Sequence, residues 1–319
     1  MTVSTQERIT GGLLGLLVGD ALGVPYEFTS PAQIPARELI EMAPPTGFMR
    51  AHPGVPPGTF SDDGSQALCL LESVLERQAL DLDDFGRRLL DWYEHGHLAV
   101  DGKVFDVGMQ TSSALLELRS GTPASHAGRS DERANGNGSL MRVLPLALWH
   151  KGSDKALATD AMAQSLVTHG HMRSQVCCAL YCLWARRALD GSDAPWDSAL
   201  ACFRALYAQS EEARLELDTN IVRPDTTEDP PGCGSGYVVD CLRSARDCIA
   251  KSHSFEEVMK AAIALGDDTD TTAAVAGGIA GLLYGVAAIP ERWRTALRGR
   301  DLVEPLLGRL LSRMREERR

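Results

Sequence analysis

The sequence predicts an all-α fold in a single domain that covers residues 1–319. Apolar residues recur at three- and four-residue spacings along most of the chain, as they do in helices that bury one face. Alternating runs of Val, Ile and Thr, which are typical of strands, are almost absent. With 44% hydrophobic and 24% charged residues, the composition is that of an ordinary globular protein. We therefore expect about a dozen or more helices around one core.

The predicted helices follow one another without a charge block or linker composition that would mark a domain boundary. Two long loops, 31–58 and 220–236, are rich in proline and glycine, and a third, 121–138, is polar and glycine-rich. Long loops inside a compact domain are often functional. The helices are predicted at 65–78, 141–151, 174–189, 196–209, 237–250, 254–265 and 302–314, with further helix-like runs at 9–18 and 271–290.

Glycine recurs at every fourth residue in two of these runs, 11–19 and 277–285. This spacing places the glycines on one helix face, and each costs about 1 kcal/mol relative to alanine in a helix interior. Close approach of a second backbone is the usual reason for such a stripe. We predict that the two helices pack antiparallel in the core and bring Glu27 near Asp268; a separation above roughly 16 Å, or three helical turns, would contradict this. A chance repeat is the alternative.

Two clusters of adjacent carboxylates, 61–63 and 267–271, carry the strongest chemical signal, and each precedes a helix-like run. Like charges this close are tolerated inside a protein when protons or cations intervene. The neighbouring hydroxyl groups add oxygen donors of the kind that Mg²⁺ or Mn²⁺ accepts. The clusters therefore predict a site for hard cations, assembled from both ends of the chain. Helix capping by the acids is the alternative, and it explains one acid more easily than two adjacent ones.

The net charge of −11 argues against non-specific binding to nucleic acid or to an anionic membrane, since both need a basic surface. The eight cysteines lack metal-finger spacing, and Cys233, in a Pro-Gly-rich loop, is predicted to be exposed. Two apolar segments, 9–18 and 271–290, could imitate membrane signals, but each adjoins acidic residues. We expect both to be core helices of a cytoplasmic protein.

Two enzyme classes fit a pair of acidic motifs poorly. The string from Asp268 to Thr272 has the spacing of the aspartate-nucleophile phosphatase motif, but that motif should follow a strand near the N-terminus of a parallel sheet. All-α terpene synthases bind Mg²⁺-diphosphate with an aspartate-rich helix. The segment 62–66 lacks their later aspartate, and the acids of this chain are expected on loops.

Five segments match one family much more closely. In chain order they are Gly19-Asp20-Ala21-Leu22-Gly23 with Glu27, Phe60-Ser61-Asp62-Asp63, Gly136-Asn137-Gly138-Ser139-Leu140-Met141-Arg142, Thr168-His169 and Gly266-Asp267-Asp268-Thr269-Asp270-Thr271. Their order and spacing resemble the ADP-ribosylglycohydrolase family, whose members remove ADP-ribose from modified proteins such as dinitrogenase reductase. The resemblance implies an orthogonal helical bundle with two divalent cations, Mg²⁺ or Mn²⁺, in a central cleft.

The resemblance also implies roles for individual residues. Glu27 matches a carboxylate that reaches or guards the site, and Asp106 matches an aspartate beside the ribose; together with Asp62 and Asp63 they are the candidate acid/base groups. The implied metal ligands are Ser61, Asp62, Asp63, Asp268, Asp270 and Thr271. The implied substrate-binding residues are Asn137, Gly138, Ser139, His169, Gly234, Ser235, Gly236 and Tyr237, the last as an aromatic face for the base. A core role for His169 or Tyr237 is the alternative.

The implied reaction is hydrolysis of the bond between C1 of the distal ribose and a protein side chain, with arginine as the first choice. The partner would be an ADP-ribosylated protein or an ADP-ribose derivative, and we expect a monomer. Ser61 replaces the commoner threonine of the family but keeps the hydroxyl group, so metal binding should survive. Gly64, Gln66 and Met109 also depart from the family pattern; they are expected near the cleft, where they bear on acceptor specificity. The alternatives are a hydrolase of serine-linked or O-acetyl-ADP-ribose and a non-catalytic module that binds ADP-ribose in the same pocket.

Overall fold

The computed structural model describes residues 3–222 and 232–316, and that part of the chain contains fourteen α-helices and no β-strand. Short 3-10 turns link several of the helices. The all-α prediction is therefore confirmed. The helices are α1 (Thr5–Gly23), α2 (Asp62–Arg77), α3 (Leu82–His95), α4 (Met109–Arg119), α5 (Leu144–Trp149), α6 (Asp154–Ser165), α7 (Met172–Leu189), α8 (Pro195–Leu206), α9 (Glu211–Leu215), α10 (Val238–Ala250), α11 (Phe255–Ile263), α12 (Thr269–Tyr284), α13 (Glu291–Ala296) and α14 (Arg300–Glu316).

All the predicted helices exist, but some of their bounds differ. The run at 141–151 is helical over α5 alone, where Pro145 lies in the first turn, a position that needs no backbone N–H. The run at 271–290 ends at Tyr284 because Gly285 takes a positive φ of 79°. Five helices, α3, α4, α6, α9 and α13, were not predicted; of the predicted loop at 220–236, residues 223–231 lie outside the described residues.

Helices α1 and α12 cross the centre of the protein in direct backbone contact. Along α1 from Gly11 to Gly23 the contacts move back along α12, so the two helices are antiparallel, as predicted. A side chain at any of these glycines would overlap the other helix. A Cβ atom on Gly11, Gly15 or Gly19 would lie 2.3, 2.3 or 2.1 Å from the carbonyl oxygen of Gly281, Gly277 or Ala273, respectively. A Cβ atom on Gly23 would lie 2.4 Å from Cα of Asp270.

This packing fixes the place where the acidic segments meet. The chain leaves α1 toward Glu27 at the end where α12 begins, and two backbone hydrogen bonds join the loops: Phe28 N–H donates to the Asp267 carbonyl at 2.7 Å, and Asp267 N–H donates to the Thr29 carbonyl at 2.9 Å. Helix α2 is attached to the same end by Asp20, a buried residue of α1. Three helix ends therefore converge at one point.

Two further expectations concern solvent and membrane. Among the described residues, Thr5–Tyr26 is the one helical segment long and apolar enough to count as a candidate membrane span, and 89% of its apolar window is buried inside the protein. All eight cysteines are unpaired, and Cys233 is exposed, as predicted. The other seven cysteines, such as Cys177 and Cys241, are buried or half-buried within the helices.

Candidate functional site

A cleft of about 1050 Å³ opens where the three helix ends converge. Its walls come from the segments after α1 and before α4, from the loop before α5 and from the starts of α2 and α12. Asp62 and Asp268 both line it, so the two acidic clusters share one cavity. Of the residues singled out in the sequence, Glu27, Asp62, Asp106, Asn137, Gly138, His169, Ser235, Gly236, Asp268 and Thr271 line the cleft.

The first cluster occupies the first turn of α2. Ser61 is the N-cap residue, and its hydroxyl accepts a hydrogen bond from Asp63 N–H at 3.3 Å. Asp20 holds this turn from α1, because its two carboxylate oxygens accept from Ser61 N–H and Gly64 N–H, both at 2.8 Å. Capping is therefore done by Ser61 and Asp20, and the side chains of Asp62 and Asp63 remain available for other partners.

The second cluster occupies the start of α12. Asp268 is the N-cap residue, yet its side chain makes no capping hydrogen bond. One of its oxygens accepts instead from the amide of Asn137 at 2.7 Å. Asp270 accepts from the backbone N–H of Thr271 at 2.8 Å. The expectation that the acids lie on loops is wrong, because Asp62, Asp63 and Asp270 lie within the first helical turns.

The two clusters touch each other although about two hundred residues separate them in sequence. The hydroxyl of Thr271 lies 3.5 Å from an oxygen of Asp63, and the hydroxyl of Ser61 lies 3.4 Å from the same oxygen. Carboxylate oxygens of Glu27, Asp268 and Asp270 all lie within 4.8 Å of one another. The predicted approach of Glu27 to Asp268 is therefore confirmed.

Burial and mutual repulsion make these carboxylates resist ionisation. Burial, together with neighbouring acidic charges, raises the pKa values of Asp62, Asp63 and Asp270 well above the usual range. Burial and then the charge of Asp106 raise the pKa of Glu27 to about 10. A bound cation would reverse this, since it favours the ionised form of each group.

The donor set fits divalent hard cations. Oδ1 of Asp63 and Oδ2 of Asp270 are buried and have no hydrogen-bond partner among the described residues. Buried polar atoms are normally paired, so two unpartnered carboxylate oxygens in one acidic cluster point to a ligand that supplies positive charge. Carboxylates and hydroxyl groups are the donors that Mg²⁺ and Mn²⁺ prefer.

His52 also belongs to the site, and the sequence did not single it out. Its Nε2 lies 2.8 Å from an oxygen of Glu27, and ligand atoms of His52, Glu27 and Asp106 lie within 4.8 Å of one another. Asp106 has a positive φ of 59°, an uncommon backbone conformation that often marks functional positions. His52 comes from the loop 31–58, which has no periodicity to read; only the length of the loop hinted at a function.

On a second wall of the cleft, Asn137, Gly138 and His169 lie together, and Asn137 is in direct contact with Asp268. Burial lowers the pKa of His169 to about 3, so that its ring is neutral at pH 7. Its Nδ1 pairs with the hydroxyl of Thr168 at 2.7 Å. A Cβ atom on Gly138 would lie 2.8 Å from the His169 ring, so glycine is needed for the loop to pass this close. This wall offers neutral hydrogen-bonding groups beside the acids.

Several residues expected in the site do not line the cleft. The side chain of Ser139 is buried in the core, where its hydroxyl accepts from Ser165 at 2.8 Å. The carbonyl of Gly234 accepts from Asp268 N–H at 3.0 Å, which is a supporting contact. The side chain of Tyr237, at the N-cap of α10, is 40% exposed and lies outside the cavity. Ser61, Asp63 and Asp270 are buried next to the acids of the cleft and do not line it themselves.

Of four further lining residues, Phe28, Met109, Arg129 and Arg133, only Met109 was expected near the cleft. Phe28 and Met109 are 72% and 90% exposed where they line the cleft. Arg129 and Arg133 line it as well. Met109 had been noted as a departure from the family pattern. Phe28 has a positive φ of 56°; its backbone N–H donates to the Asp267 carbonyl, and its ring lies 6.1 Å from the ring of His52.

Comparisons with known proteins agree with this arrangement. The sequence profile of the ADP-ribosylglycohydrolase family matches residues 1–319. The chain is 31% identical to the ADP-ribosylarginine hydrolase Tri1 of Pseudomonas putida (strain GB-1) over 312 residues, 96% of this chain and 78% of that protein. It is 28% identical to the ADP-ribosyl-(dinitrogen reductase) glycohydrolase of Rhodospirillum rubrum over 296 residues, 92% and 91% of the two chains. A solved structure described as an ADP-ribosylglycohydrolase-related protein complex superposes with a TM-score of 0.73 at 33% identity, covering 96% and 98%.

Proposed function

The chain belongs to the ADP-ribosylglycohydrolase family, a family of hydrolases, and we propose that it releases ADP-ribose from a modified protein side chain with the help of two divalent cations. The observation that carries the proposal is the meeting of the clusters 61–63 and 267–271 around two buried carboxylate oxygens that have no hydrogen-bond partner in the described part of the chain. The proposed partner is an ADP-ribosylated protein or an ADP-ribose derivative. A cytoplasmic location and a monomeric state stay predictions.

The residues that would hold the cations are the oxygen donors of the two clusters, with Glu27 beside them. Bound Mg²⁺ or Mn²⁺ supplies charge that orients ribose hydroxyl groups and lowers the pKa of water. The proposed ligands are Ser61, Asp62, Asp63, Asp268, Asp270 and Thr271.

The protein's own groups would bind the substrate and move the protons. Hydrolysis breaks the bond from the ribose C1 to the side-chain nitrogen, adds the oxygen of water to C1 and returns a proton to the departing nitrogen. Asp62, Asp63, Asp106 and Glu27 are the candidates for taking or relaying that proton. Of these, Asp62, Asp106 and Glu27 line the cleft, whereas Asp63 is buried and does not line it. This placement favours the three exposed to the cavity as the groups nearest the reacting atoms.

Arginine is the linkage we propose first. Two relatives are named for hydrolysis of ADP-ribosylarginine or of ADP-ribosylated dinitrogen reductase, and they cover most of this chain. Asn137, Gly138 and the neutral ring of His169 offer hydrogen bonds to the nucleotide on the cleft wall beside the acids. The apolar side chains of Phe28 and Met109 stand near the mouth, where the acceptor would enter.

The test is an assay of ADP-ribose release from arginine-linked, serine-linked and O-acetyl substrates, with Mg²⁺, with Mn²⁺ and with chelator. We expect metal-dependent release from the arginine-linked protein, and reduction to background in the double variant Asp268→Ala/Asp270→Ala. Asp190→Ala/Asp193→Ala is the matched control, because it removes two exposed carboxylates from the loop after α7 and causes the same change in net charge.

Near-normal release by Asp268→Ala/Asp270→Ala in the presence of chelator would refute the metal-dependent mechanism. Binding of ADP-ribose without release from any of the three substrates would instead support the non-catalytic binding module.

A further inference from the structure

Arg142 is a fully buried cation that lies behind the cleft. It follows the loop 136–141, and its guanidinium group packs over the ring of Phe85 at 5.0 Å. Burial lowers the pKa of Arg142 to about 10, which leaves it charged at pH 7. Its hydrogen bonds go to neutral oxygens: Oε1 of Gln66 at 2.9 Å, Oε1 of Gln164 at 3.1 Å and the Gln164 carbonyl at 3.2 Å. A buried charge without a carboxylate in direct contact is costly, so its retention needs a reason.

The reason lies on the other side of Gln66. A guanidinium group only donates hydrogen bonds, so Gln66 must turn its oxygen toward Arg142. Its NH₂ group then faces the acidic cluster, where it donates to Oδ2 of Asp62 at 2.8 Å. Gln66 is fully buried and Asp62 is 4% exposed, so little solvent competes with either hydrogen bond. The direction of the whole chain, from Arg142 through Gln66 to Asp62, is set by Arg142.

This chain of hydrogen bonds approaches Asp62 from the protein interior. Asp62 therefore faces the cleft with one oxygen already occupied and with its orientation fixed. Gln164 anchors the far end, because its own NH₂ group donates to the Ser139 carbonyl at 3.1 Å, in the loop that carries Asn137 and Gly138. The two walls of the cleft are joined through one buried guanidinium group.

We propose that Arg142 and Gln66 are positioning residues that hold Asp62 in the orientation needed for divalent-cation binding. The proposal rests on the proposed function for its consequence in catalysis, but cation affinity alone tests it. Groups that orient metal ligands in this way typically change metal affinity or activity by about 10- to 100-fold when they are replaced.

The test uses Gln66→Met, which has a similar volume but cannot donate to Asp62. We expect the dissociation constant for Mn²⁺, measured by calorimetric titration without substrate, to rise about 10-fold or more. For hydrolysis we expect kcat to fall and KM for the substrate to change little. Gln175→Met is the matched control: it removes a 2.8 Å amide hydrogen bond, to the Gly170 carbonyl, with no acid involved.

Variants of Arg142 separate positioning from mere packing. Arg142→Met should weaken Mn²⁺ as Gln66→Met does, and Arg142→Lys, which keeps a donor for Gln66, should restore part of the affinity. Because both residues act through one hydrogen bond to Asp62, the double variant Gln66→Met/Arg142→Met should bind Mn²⁺ no more weakly than the worse single variant.

Unchanged Mn²⁺ affinity and kcat in a folded Gln66→Met protein would overturn the positioning role and leave the proposed function intact. Additive losses in the double variant, with no rescue by lysine, would also overturn it. A wild-type protein that hydrolyses none of the ADP-ribose substrates, but whose Mn²⁺ affinity falls in Gln66→Met, would uphold the positioning role and refute the proposed function.

Discussion

The contact between α1 and α12 determines both the core and the site, and Gly15→Ala tests it directly. A Cβ atom at this position would lie 2.3 Å from the Gly277 carbonyl oxygen and 3.1 Å from the ring of Phe255. The first distance is about 1.1 Å short of ordinary contact, which begins at 3.4 Å, and both helix backbones are rigid. Overpacking of this kind typically costs 1–3 kcal/mol and occasionally more.

We therefore expect Gly15→Ala to lower the free energy of unfolding by about 3 kcal/mol, even though alanine favours the helix by about 1 kcal/mol. Gly308→Ala is the matched control, since Gly308 is exposed in α14 and a Cβ atom there meets nothing within 4 Å. This control should gain about 0.5–1 kcal/mol. Urea unfolding monitored by circular dichroism measures both. Equal stability of the two variants would show that the helices do not meet in this register.

The same variant has a second consequence at the site. Separating α1 from α12 moves Glu27 and Asp20 away from the acids that begin α12, because Gly23 itself touches Asp270. We expect Gly15→Ala protein that is still folded to bind Mn²⁺ more weakly than Gly308→Ala. Loss of stability with unchanged Mn²⁺ affinity would show that the register of α1 does not position the acids.

Two further predictions concern individual carboxylates. In metal-free protein, folding raises the pKa of Glu27 from 4.5 to about 10, so the folded state holds an extra proton between these values. The contribution of protonated Glu27 to the free energy of unfolding is fully present below pH 4.5 and is lost as pH rises, by up to about 1.4 kcal/mol per pH unit. Glu27→Gln should therefore reduce the difference in unfolding free energy between pH 5.5 and pH 8, measured by urea unfolding with chelator. An unchanged difference would contradict the burial of this proton. For Asp106→Asn we expect a large fall in kcat with bound metal, measured by elemental analysis, preserved; an unchanged rate would remove Asp106 from the candidates.

Much of the fold and part of the site followed from local patterns. Glycines at every fourth residue have a specific physical cost, and this is why the approach of Glu27 to Asp268 could be predicted from spacing. Helix α3, although strongly amphipathic, was missed because its acidic and basic residues are as numerous as its apolar ones. Asp62 and Gln66 stand at positions i and i+4 of α2, but it is the buried Arg142 that gives the Gln66 amide its direction.

The contacts that could not be predicted join segments with no pattern in common. His52 reaches Glu27 from a long irregular loop, and no local rule places one histidine of such a loop at a given acid. The role of Asp20 as a cap for α2, across forty-one residues, depends on where α1 ends relative to α2. Tyr237 was expected to face the cleft because it lies near a motif, but an aromatic residue at the start of a helix need not do so.

Each contact that stabilises the acidic site leaves part of its negative charge without a compensating partner among the described residues. The N-termini of α2 and α12 direct their positive dipole ends toward the acids, which offsets part of the cost of burying them. Asp20 and Ser61 take up backbone N–H groups of α2, so that these donors cannot satisfy Asp63. The charge of Arg142 reaches Asp62 only through an amide. Among the described residues, one oxygen of Asp63 and one of Asp270 remain without a hydrogen-bond partner. Because the helix backbones cannot move closer, the small cation of the proposed function would be a suitable ligand for both oxygens.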